Sequence, residues 1–99
     1  MRTLYGTTRT IVKASSVITG AQIRASRAVL RWSAEVLASR AHVGVQTVKR
    51  LEAADGVPSG RSTTLQEVQS ALEAAGIEFI GTPTDGPGIR IRIPLTRSE

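Results

Sequence analysis

The sequence predicts a mainly α domain of four to five helices closed by a C-terminal β-hairpin. Three observations carry that expectation. Apolar residues recur at three- and four-residue steps between about residues 19 and 76. Thr or Ser with Gln or Glu three residues on stands ahead of two of those runs, the pattern of a capping box. After Gly76 the period falls to two, and Ile89-Arg-Ile-Arg-Ile93 alternates strictly between apolar and charged. The 99 residues therefore divide into an N-terminal arm over 1–18, a helical body over 19–76 and a hairpin with its tail over 77–99.

The arm is rich in Thr and Ser and lacks a helical period, although Thr10-Ile-Val-Lys13 has the composition of a short strand. The first helix is expected to begin at Thr19-Gly-Ala-Gln22, where hydroxyl and amide satisfy the orphan N–H groups of a helix start. Ile23 and Leu30, with Val29 beside them, form its apolar side. Arg24, Arg27 and Arg31 follow at steps of three and four and so share a face. That face is read as solvated, or as a border to phosphates if a polyanion binds nearby. Trp32, at the junction with the next helix, is expected to plug the core.

Ser33 is the expected N-cap of the second helix, and Glu35 in its first turn complements the helix dipole. Leu37, Ala38 and Ala41 make its apolar face, with Ala38 small enough for close approach. His42-Val43-Gly44 leaves room only for a tight corner, with His42 where φ turns positive and Gly44 as N-cap of a third helix. Val48 and Leu51 turn inward there, and Lys49 and Arg50 outward. Ala53 to Gly60 reads as a loop. A fourth helix is expected from the capping box Thr64-Leu-Gln-Glu67, with Leu65, Val68, Leu72 and Ala75 as its apolar face and Gly76 ending it. Ile77-Glu-Phe-Ile80 and Ile89 to Ile93 read as strands around a turn-rich loop, Thr82 to Gly88. Such a ribbon is marginal alone and needs a helix, the N-terminal strand or a second subunit beside it. Gly86-Pro-Gly88 lacks the Lys-Ser/Thr and the helix of a phosphate loop.

Composition narrows the function. The chain has no cysteine, which excludes disulfides and thiolate metal sites and is compatible with the cytoplasm. No apolar run approaches the roughly 20 residues of a membrane span, and no signal peptide is evident. With His42 the only histidine and the carboxylates scattered, no acid/base or metal constellation appears, so neither catalysis nor a cofactor is expected. The net charge of +5 is polarised. Residues 1–52 hold nine Lys and Arg against two acids, or +7, whereas residues 53–99 hold four against six, or −2. This distribution suits a polyanion bound by the first half.

Two helices joined by a turn of three or four residues form the helix-turn-helix unit of DNA-binding proteins, and Ser33 to Glu52 fits it. The sequence also resembles the Xre/Cro-type, lambda-repressor-like helix-turn-helix family over roughly residues 20–80. The matching residues are Ile23-Arg-Ala-Ser-Arg-Ala-Val-Leu30, Trp32-Ser33, Leu37-Ala38, Ala41, Val43, Thr47-Val48, Arg50-Leu-Glu-Ala53 and Thr64-Leu65. Members commonly carry Gln where this chain has Ala34, and Gly where it has His42. The resemblance implies phosphate contacts at the start of the second helix, from Ser33 and the backbone of Ala34.

The third helix is then expected to enter the major groove by its N-terminal part. Gln46 is the best reader, since its amide pairs bidentately with adenine. Thr47 offers a hydroxyl, Val45 a methyl contact to thymine, and Arg50 a guanine contact. Lys49 and Arg61 are candidates for phosphate. So few readers favour a homodimer on double-stranded DNA, its half-sites about 34 Å apart. The expected function is a sequence-specific transcriptional regulator, a repressor in the first reading. The alternative is a protein-interaction module such as an antitoxin, with a protein partner and DNA binding secondary.

Overall fold

The computed structural model describes residues 17–58 and 62–92. Four helices precede a two-stranded antiparallel sheet: α1 (Gly20–Leu30), α2 (Ala34–Ala41), α3 (Val45–Ala53), α4 (Ser62–Ala74), β1 (Ile77–Thr82) and β2 (Asp85–Ile91). The domain is mainly α, as expected, with four helices among the described residues. The expected strand at Thr10 to Lys13, the phosphate candidate Arg61, and Ile93 with the tail lie outside the described residues.

Local chemistry sets the first three helix starts. Thr19 caps α1 by a full capping box: its hydroxyl accepts the Gln22 N–H at 3.0 Å, and the Gln22 side chain accepts the Thr19 N–H at 2.8 Å. The Ser33 hydroxyl accepts the Val36 N–H at 3.1 Å to start α2. Gly44 starts α3 without a side-chain cap.

Helices α1 and α2 end alike. Arg31 and His42 both take the left-handed conformation at φ 60°, and the residue after each donates its N–H five residues back, Trp32 to Arg27 O at 3.0 Å and Val43 to Ala38 O at 3.0 Å. Each is a Schellman motif built without glycine. The positive φ expected at His42 is present; that at Arg31 was not expected. Arg31 is thereby the C-cap of α1 and stands outside the helical run that carries Arg24 and Arg27.

Ile18, Ile23, Leu37, Val48, Leu51, Leu65, Val68, Leu72 and Ile77 are buried together, with Ala34, Ala38 and Ala41 lining the inner side of α2. Each of the larger side chains contributes about 1.5–3 kcal/mol by leaving water, an upper range because the unfolded chain is partly collapsed. Ile18 is only 1% exposed, so core packing reaches the residue ahead of the Thr19 cap. Val29, expected on the apolar side of α1, is exposed instead, while Leu30 and Trp32 pack half-buried against the core. Trp32 is thus a plug at the edge of the core, with the Arg40 guanidinium 4.9 Å from its ring centroid.

Two expected boundaries move. Helix α4 begins at Ser62, two residues before the expected cap Thr64, because the Ser62-Thr63-Thr64 run allows several starts that all deliver Leu65 to the core. Its end is as expected, with Gly76 at φ 108° after the Ala75 N–H bonds back to Leu72 O at 3.1 Å. The hairpin loop is not Thr82 to Gly88. The register pairs Ile77 with Ile91, Glu78 with Arg90, Phe79 with Ile89, Ile80 with Gly88 and Thr82 with Asp85, leaving only Pro83-Thr84 as the turn. Gly86 and Pro87 of β2 stand together opposite Gly81, a bulge in β2 that absorbs the register shift, and Pro87 is tolerated there because the two-stranded ribbon has no interior strand. Gly81 sits at φ +77°, and a Cβ there would lie 2.1 Å from Gly86 O, so only glycine fits.

Helices α1 and α3 meet at close range. A Cβ on Gly20 would fall 1.9 Å from Ala54 O and 2.6 Å from Leu51 O. The missing side chain lets the start of α1 abut the end of α3, where the Gly20 N–H donates to Gly56 O at 2.9 Å.

Candidate nucleic-acid interface

The candidate surface is built from the corner between α2 and α3. His42-Val43-Gly44 spans it, and the Thr47 and Val48 N–H groups return to Gly44 O at 3.1 and 3.2 Å, opening α3 immediately after the turn. Val48 and Leu51 are buried, which fixes the rotation of α3 about its axis. The opposite side then carries Gln46, Lys49 and Arg50, all exposed, at steps of three and four. Lys49 makes no ion pair within the described residues. Val45 and Thr47 are half-buried, and Val45 packs against the core. The thymine contact expected of Val45 is thereby reduced to its exposed part.

At the start of α2 the expected donors differ in kind. The Ser33 side chain is exposed but already accepts the Val36 N–H. Ala34 is buried, so its side chain offers nothing to a ligand and only its backbone could serve the phosphate role expected there.

Of the α1 arginines, Arg24 is exposed and Arg27 is half-buried. Arg27 grips Glu52 of α3 in a fork, Nε to Oε2 at 2.6 Å and Nη2 to Oε1 at 2.9 Å, and its Nη1 donates to Trp32 O at 2.9 Å. Glu52 is 8% exposed. Its hydrogen bonds hold the Arg27 guanidinium above its ordinary pKa, with burial pulling the other way, so the cation persists at every working pH. Arg24 donates to Glu52 O and pairs with Asp55 at 3.0 Å. Arg27 is thus withdrawn from the solvated stripe expected of these residues, whereas Arg24 stays exposed; both tie the end of α3 to α1. A basic residue and an acid 25 positions apart give no periodic signal, which is why the pair escaped sequence reading.

On the hairpin, Arg90 and Arg92 are exposed as expected, and both lean on Glu78, at 3.6 and 2.6 Å. Exposed pairs of this kind are worth little. Among the described residues no group of three or more His, Asp or Glu gathers as a metal-holding cluster, and no helix is long and apolar enough to cross a membrane. Comparison of the chain with protein-family models and with curated proteins gives no match.

Proposed function

We propose that the chain is a sequence-specific DNA-binding transcriptional regulator of the Xre/Cro, helix-turn-helix type, acting as a homodimeric repressor on double-stranded DNA. One observation carries the reading. Helix α3 follows a three-residue corner, buries Val48 and Leu51, and turns an amide and two cations outward at Gln46, Lys49 and Arg50. An amide beside cations on one exposed helical face matches the chemistry of a duplex, whose base edges take bidentate hydrogen bonds and whose phosphates take charge. In this reading Gln46 reads adenine, Arg50 and Thr47 assist it, and Lys49 holds phosphate. Ser33 and the Ala34 N–H line the phosphate side of α2.

Selection of bound sequences from a random duplex pool, followed by anisotropy titrations over a salt series, tests it. A recovered two-fold site with half-sites about 34 Å apart is the expected result. Gln46→Ala should relax the preference at one base position by about 1–3 kcal/mol. Lys49→Gln should weaken all duplexes alike and lower the salt slope by about one. Absence of duplex binding even at low salt would overturn the proposal.

A further inference from the structure

The Gln22 side chain, 6% exposed, belongs to two structures at once. Its Oε1 accepts the Thr19 N–H at 2.8 Å and the Thr19 hydroxyl at 3.3 Å, the capping side. Its Nε2 donates to Gly88 O at 2.8 Å and Ile80 O at 3.3 Å, one carbonyl from each hairpin strand. A primary amide has two donors and one oxygen with two lone pairs, and all four are used here. Ile80 and Gly88 are the last regular pair before the bulge at Gly86-Pro87 interrupts the ladder. The Gln22 backbone is itself fixed, since the buried Ser26 hydroxyl donates to its carbonyl at 2.8 Å. Apolar packing also holds the sheet: Ile77 is buried, and Phe79 and Ile89 pack half-buried on the core. A two-stranded ribbon does not stand alone in water, so its order depends on this docking.

We propose that Gln22 is a latch: the amide that caps α1 also clasps both hairpin strands, and the hairpin docks and undocks as a unit through it. The polar registration of the sheet on the helical body then runs through this side-chain amide, beside the apolar packing of Ile77, Phe79 and Ile89. The two halves of that amide are chemically separable. A carboxylate at this position keeps the acceptors for Thr19 but has no donor for the strands, and it sets a negative charge against two carbonyl oxygens.

Amide hydrogen exchange on the full chain, comparing wild type with Gln22→Glu, Gln22→Met and Thr19→Ala, tests the latch. At neutral pH Gln22→Glu should speed exchange across β1 and β2 by about tenfold or more, the scale of a lost buried donor, while the first turn of α1 changes by less than about threefold. Acidification protonates the new carboxyl, restores one O–H donor and should recover hairpin protection. Thr19→Ala should do the reverse, loosening the first turn of α1 and leaving the hairpin within about threefold, because its loss is confined to the cap. Hairpin exchange unchanged in Gln22→Glu would overturn the latch. So would uniform acceleration over all helices and strands, which marks a general loss of stability. If Gln22→Glu does not fold, Gln22→Met replaces it, and equal hairpin exchange in Gln22→Met and Thr19→Ala overturns the proposal.

Discussion

The arginines of α1 and the polar face of α3 look alike in the sequence, and the fold puts them to opposite uses. Both present polar or basic side chains at steps of three and four. On α1, Arg24 and Arg27 are consumed by Glu52, Asp55 and backbone carbonyls. On α3, Gln46 and Lys49 stand in solvent. The two sets are joined, because Glu52 belongs to α3 and its burial against α1 helps hold the opposite side of that helix outward. Formal charge therefore overstates the available charge. The surplus of +7 over residues 1–52 includes cations that act as internal ties, so a polyanion would meet a smaller field than the sequence suggests.

The sharpest way to break this contrast is Glu52→Ala. It leaves the Arg27 guanidinium, only 26% exposed, without its carboxylate, and should lower unfolding stability by about 2–3 kcal/mol in denaturant titration. A loss below about 0.5 kcal/mol would mean that the α1 cations are as dispensable as surface charges. A smaller change of opposite sign is expected at the corner that launches α3. His42→Gly relieves a left-handed residue worth about 1–2 kcal/mol while adding about 0.5–1 kcal/mol of unfolded-chain entropy. The net should be a gain of roughly 0.5–1 kcal/mol, seen as a raised Tm. The smallest effects should come from charges at exposed positions. Glu78→Gln, which removes the exposed pairs to Arg90 and Arg92, should cost less than about 0.5 kcal/mol. Lys49→Gln should likewise stay within about 0.5 kcal/mol of wild type in the same titration, although it removes a cation from the candidate interface.

Much of the architecture was readable because its signals are local. Thr19 with Gln22, Ser33, Gly44 and Gly76 each satisfy or end a helix within a few residues, and every one acts as expected. The inward placement of Val48 and Leu51, and with it the outward placement of Gln46, Lys49 and Arg50, follows from period alone. Signals with several equivalent solutions misled. Ser62-Thr63-Thr64 offered competing starts for α4. Gly86-Pro87-Gly88 has the composition of a loop but joins β2, because a two-stranded ribbon accommodates proline and the Gly86-Pro87 bulge opposite Gly81 keeps the pairing going.

The sequence by itself determined a mainly α body, the starts of its first three helices, the corner at His42 and a final hairpin, since each is settled by residues a few positions apart. Only the tertiary structure decided which cations face outward, where Ile18 belongs and what clasps the hairpin. Those outcomes depend on partners far along the chain, Arg27 with Glu52 and Gln22 with Ile80 and Gly88, and such meetings leave no periodic trace. The surface of α3 lies between the two. Its residues were legible from spacing, and its exposure is held by a buried carboxylate that spacing could not reveal.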